Sequence, residues 1–241
     1  MYYWEYILMG LLLLPAMIFA MYAQFRVHSV FNKFSQTATN CGLTGSEVSK
    51  RILEKAGASA VQVGSTRGTL TDHYNPANKT VNLSEPVYQS TSIAAIGVAA
   101  HETGHALQDK SGYKLMKLRT AVIKVSNFAS SLCMPLILIG IVLFFVLASS
   151  FAGHVLIWVS VGIFALSTLV NLITLPVEIN ASRRALKQLD GLGILVEEER
   201  EGVKSVLSAA ALTYVASLAI SLISLFRLVF LALMVTGRNK D

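Results

Sequence analysis

VLIWVSVGIFALSTLVNLITLP, residues 155–176, runs straight into VEINASRRAL, residues 177–186. The first segment has no charge and is long enough to cross ~30 Å of hydrocarbon at ~1.5 Å per helical residue. The second brings an acid and two arginines within a few positions of its end. Working outward, three more apolar runs of similar length appear, at about Tyr3 to Ala23, Ser131 to Ser149 and Thr213 to Val235. The 241-residue chain is 54% hydrophobic and only 14% charged, with a mean hydropathy of +0.57. A soluble domain carries about 25% charged residues. A disordered chain, a disulfide scaffold and an ordinary soluble enzyme are thereby excluded. The expected fold class is a mostly α membrane protein with about four transmembrane helices and a small α+β portion on the cytoplasmic side.

The first run has no Lys or Arg in Met1–Tyr6 and no small-residue cleavage site behind it. It reads as an uncleaved helix, not a signal peptide. Of 20 Lys and Arg residues, twelve lie in 24–130 and five in 177–212. With four spans both polar segments fall on one side, and the basic excess makes that side cytoplasmic. The second and third runs then form a hairpin with a short outer turn through Gly153 and His154. The net charge of +6 fits this bias. No Arg-rich or aromatic-interleaved stripe accompanies it, so no nucleic-acid partner is expected. Arg227, inside the fourth run, reads as snorkelling to the interface or as a contact inside the helix bundle. Cys133 lies in an apolar run, so no disulfide with Cys41 is expected.

The polar segment 24–130 opens with Thr44-Gly45-Ser46-Glu47, a capping box for a helix that runs to about Ala56 and stops at Gly57. Val61–Val63, Gly68–Leu70 and Thr80–Leu83 have strand character, with turn chemistry at Asn75–Asn78. Ser92 caps a helix over about 92–109. Gly97 and Gly104 inside it predict close packing, or a ligand pressed against the backbone.

That helix contains His101-Glu102-Thr103-Gly104-His105, an HExxH pattern. Residues at i and i+4 share a helix face, so both imidazoles can reach one metal ion. Glu102 projects beside it, placed to take a proton from a bound water whose pKa zinc lowers to about 7. A catalytic zinc needs a third protein ligand and an open position. His73, Asp109, Glu178, Asp190 and the acids of 197–201 are the candidates. Asp109 follows His105 on the same helix and cannot easily turn back. Glu197, Glu198, Glu199 and Glu201 read as a solvated acidic run at a helix start. Glu178 lies two residues beyond Pro176, where an unpaired carboxylate is costly. It is the preferred ligand, with His73 as runner-up.

VAAHETGHALQ at 98–108, with LTDHYNP and VNLSE before it and LPVEINASRRAL and AALTYVAS after it, resembles the YugP-type membrane zinc metallopeptidases of bacteria. The likeness spans about Thr44 to Tyr214. The arrangement is also similar to the wider gluzincin membrane proteases of the HtpX kind. The resemblance implies one Zn2+ held by His101, His105 and Glu178, with Glu102 as general base. Ser182 stands where those wider families carry an aspartate. Which residue orients a zinc histidine is open between Ser182 and Asp190. Oxyanion or substrate contacts are expected from His73, Tyr74 or Arg183, with Arg184 a further candidate.

The expected activity is hydrolysis of peptide bonds in membrane-associated proteins by a zinc-dependent metalloendopeptidase at the cytoplasmic face. The partners are peptide or protein substrates and the lipid bilayer. The alternative is a non-proteolytic membrane protein with a structural or sensory metal.

Overall fold

The structure, a computed structural model, describes residues 10–145 and 150–237. Its elements in chain order are α1 (Leu13–Ser35), α2 (Gly45–Lys55), β1 (Gln62–Thr66), β2 (His73–Asn75), β3 (Thr80–Ser84), α3 (Glu85–Tyr88), α4 (Ile93–Lys110), α5 (Lys114–Phe145), α6 (Ser150–Leu192) and α7 (Glu197–Thr236). They fall into two units. One comprises Tyr22–Lys117 with Pro176–Thr213. The other comprises Leu118–Leu175, the described residues from Tyr214 onward and those before Tyr22.

The first unit has a core of the kind water drives together. Thr44 caps α2 as a reciprocal box: its hydroxyl accepts from the Glu47 N–H, and its own N–H donates to the Glu47 carboxylate at 2.8 Å. Gly57, at φ +64°, takes the left-handed conformation that closes the helix. The sheet order is β1-β3-β2, with β1 parallel to β3 and β2 antiparallel to it; His73 faces Asn82. Val81 and Leu83 on β3, Ile52 on α2, Ile96 on α4 and Val177 on α6 are fully buried together.

The second unit is built differently. Among the described residues three helices, whose apolar parts lie in this unit, are long and apolar enough to cross a membrane: Lys114–Phe144, Phe151–Leu192 and Glu197–Thr236. Many of their large side chains face outward, as lipid-facing residues do; Phe128, Phe151 and Phe226 are 70%, 82% and 70% exposed. Glycines set the contact between α5 and α6. A Cβ built on Gly153 would lie 2.8 Å from the Gly140 carbonyl oxygen and from Phe144, so only hydrogen fits.

Several expectations change. Residues 3–9 of the first run lie outside the described residues, and α1 continues past Ala23 to Ser35. Residues 146–149 also lie outside them. Gly153 and His154 do not form a turn: α6 begins at Ser150, and Gly153 is spent on helix packing. Pro176 does not end the third apolar helix, which runs through it to Leu192. A proline is tolerated inside such a helix where its neighbours re-satisfy the freed backbone. The strand expected at Gly68–Leu70 is instead a loop, with Gly68 at φ +101° and Leu70 at φ +57°. The pairing strand is His73–Asn75. The turn behind it holds, with the Asn75 side chain accepting from the Ala77 N–H at 3.0 Å. Arg227 is half-buried. It packs beside Gly10 and lines a cavity with Ser130, Cys133 and Ser224.

Candidate metal centre

Helix α4 carries the first two candidate ligands. Ser92 caps it, its hydroxyl accepting from the Ala95 N–H at 3.2 Å. One turn separates His101 from His105, and their rings meet edge to face with centroids 4.8 Å apart. Gly104 explains what brings the third candidate. A Cβ there would fall 2.5 Å from the Ala181 carbonyl oxygen, so the α4 and α6 backbones touch. Gly97 packs less tightly, against the Val203 side chain of α7, whose Cγ1 would lie 3.3 Å from an added Cβ. The expectation of close packing at both glycines is met.

With α6 that near, Glu178, one turn before Ala181, points between the two rings. Its Oε2 lies 3.1 Å from His101 Nε2 and 3.4 Å from His105 Nε2. The three side chains are 14%, 9% and 3% exposed. Among the described residues they form a group with ligand atoms all within 4.8 Å of one another. Two imidazoles and one carboxylate are a donor set zinc accepts, and two donors at ~2.1 Å on tetrahedral corners stand about 3.4 Å apart. The residues present therefore fit a single divalent ion. Burial pulls the His105 pKa down, but the Glu178 carboxylate, with the charge of Glu102 and a bond to Gln108, outweighs it and raises it above the ordinary histidine value, so the pocket favours positive charge.

The outward nitrogens are engaged as well. Ser182 Oγ lies 3.1 Å from His101 Nδ1, which settles the choice between Ser182 and Asp190. Asp190 instead accepts from Arg200 at 2.8 Å. Gln108 Oε1 lies 3.0 Å from His105 Nδ1, and Gln108 Nε2 donates to the Val177 carbonyl at 2.7 Å and to Asn180 Oδ1 at 3.0 Å.

Glu102 stands between β2 and the histidines. Its Oε2 accepts the Tyr74 N–H at 3.0 Å. The Tyr74 hydroxyl donates to Asp109 at 2.6 Å, and Lys79 pairs with the same carboxylate. Burial and the Asp109 carboxylate push the Tyr74 phenol well above its usual value. Tyr74 thus meets Glu102 through its backbone, not its ring. His73 is exposed: Nδ1 faces the Thr71 carbonyl at 2.9 Å and Nε2 faces Asn82 at 3.2 Å. Arg183 is exposed, while Arg184 donates to Asn180 at 2.8 Å and lies over the Tyr113 ring.

The acidic run also changes its reading at one position. Glu199 is buried, its carboxylate accepting from the Asn40 N–H at 2.6 Å and the Val196 N–H at 3.1 Å. Gln108 and Asn180 escaped the sequence reading, although each stands within three positions of an expected ligand, and that spacing was the available signal.

The chain was compared with known proteins. A family model described as "Putative neutral zinc metallopeptidase" matches residues 9–233. The protein named "Putative membrane protease YugP" of Bacillus subtilis (strain 168) is 43% identical over 230 residues, covering 95% of this chain and 98% of that protein. No solved structure matches. The match over almost the whole length, with a zinc-compatible donor group at its centre, places the chain in the neutral zinc metallopeptidase family of that model.

Proposed function

We propose that the chain is a zinc-dependent metalloendopeptidase that cleaves peptide bonds in membrane-associated proteins, with a role in membrane-protein quality control. In this reading four helices, at about 3–23, 131–149, 155–176 and 213–235, anchor it in the bacterial cell membrane. Residues 24–130 and 177–212 form the peptidase portion on the cytoplasmic face. The observation that carries the reading is the convergence of His101, His105 and Glu178 beside Glu102, from two helices whose backbones touch. The name of the Bacillus subtilis relative supports a protease of the membrane.

The three ligands would hold the zinc, which when bound supplies Lewis acidity for a scissile carbonyl and acidifies a water. The chain does the rest. Ser182 and Gln108 hold the imidazoles in place. The Tyr74 N–H holds the Glu102 carboxylate beside them. Glu102 takes the proton of the attacking water and returns a proton to the leaving amine nitrogen. Exposed His73 and Arg183 are the remaining candidates to contact substrate.

Glu102→Gln removes the base while leaving the ligands. Cleavage of a peptide reporter is expected to fall by about 10²–10⁴-fold, with zinc per chain unchanged; undiminished cleavage overturns the assignment. For orientation, a Ser59→Cys change in a Cys41→Ser background places a thiol in the polar segment. It is expected to resist an impermeant reagent in intact cells, and labelling there reverses the topology.

A further inference from the structure

Gln108 is fully buried, and every polar atom of its side chain is spoken for. The Val177 carbonyl oxygen can only accept, so the atom 2.7 Å from it must be the amide nitrogen. That fixes the orientation of the whole group, and the end facing His105 Nδ1 at 3.0 Å is then an oxygen, which can only accept. His105 therefore carries a proton on Nδ1, and its neutral form leaves the Nε2 lone pair for an ion shared with Glu178. The same amide grips the peptide group immediately before Glu178 and the Asn180 side chain just after it.

We infer that Gln108 is a positioning residue that sets the His105 tautomer and braces the ligand-bearing turn of α6 against α4, so that two of the three zinc donors are presented together. This rests on the zinc site proposed above but not on peptide hydrolysis. Among the described residues it is this amide, and no carboxylate, that faces His105 Nδ1. A neutral amide orients the ring without adding a second negative charge beside Glu178, and its two N–H donors satisfy acceptors a carboxylate would repel.

The test is zinc affinity of the full-length chain in detergent, measured by competition with a chromophoric chelator. Gln108→Met keeps the volume and removes every hydrogen bond; zinc is expected to bind about 10–100-fold more weakly. Gln108→Glu restores an oxygen against Nδ1–H and is expected to recover part of that loss. Binding by Gln108→Met within twofold of the parent, or equal weakening in both variants, overturns the inference. Should Gln108→Met fail to fold, the ring-nitrogen NMR shifts of His105 in the zinc-free parent chain decide: a proton on Nδ1 supports the acceptor role, and a proton on Nε2 alone overturns it. Peptide cleavage by the parent chain is scored separately. Tight zinc that depends on Gln108, without cleavage, would remove the peptidase reading and leave this one standing.

Discussion

The two units of the chain are both rich in apolar residues and spend them in opposite ways. In the unit that holds the candidate metal centre, Ile52, Leu83 and Ile96 are sealed from solvent. In the other, Phe128, Phe151 and Phe226 point outward, and the tight contacts are made by glycines and serines, as between Ser126 and Ser167 at 3.0 Å. Where the surroundings are water, apolar burial drives the packing. Where they are lipid, apolar side chains gain nothing by turning inward, and close backbone approach with small polar contacts holds the helices instead.

Glycine substitution should separate the two regions most sharply. Gly104→Val drives a side chain into the Ala181 carbonyl and is expected to cost ~3 kcal/mol or more and to empty the zinc site. Gly162, on the apolar part of α6, has nothing within 4 Å of a built Cβ, and Gly162→Val is expected to leave both unchanged. Zinc content and thermal melting report both variants. Next in size, Ile96→Ala is expected to destabilise by ~2–4 kcal/mol, against less than ~0.5 kcal/mol for Phe226→Ala. Equal losses in a denaturant titration would erase the distinction.

The smallest expected effect concerns pH. Burial pushes the Asp109 carboxyl up, but hydrogen bonds from Lys79 and Tyr74 outweigh it and hold the pKa below the ordinary value. A carboxyl lowered on folding contributes its stability above about pH 4 and loses it as the pH falls through the lowered value. Asp109→Asn is therefore expected to flatten the loss of stability between about pH 5 and 3. An unchanged slope would mean that the Tyr74–Asp109–Lys79 cluster carries no folding linkage.

What the sequence made legible was local. The Thr44–Glu47 box, the Ser92 cap and the i, i+4 histidines each depend on residues a turn apart, and each appears as expected. Glu178 was found because a carboxylate beside a long apolar run has few inexpensive explanations. Features decided by distant partners were hidden. The third apolar run was bounded at Pro176 because polar residues follow it, whereas α6 continues through the proline to Leu192. Tyr74 promised a hydroxyl for substrate, and only the fold assigns that hydroxyl to Asp109. Glu199 looked solvated because nothing nearby in sequence announces Asn40, 159 positions away.

The contact between Gly104 and Ala181 also bears on any attempt to graft this centre elsewhere. Copying two histidines and a glutamate onto a borrowed helical scaffold moves only the tips of the arrangement. The reach of Glu178 is short, and it closes on the imidazoles because two main chains lie against each other with no side chain between them. A transplant must carry the bare glycine and its facing alanine as well, since the gap between the helices is as much a ligand specification as the donors themselves.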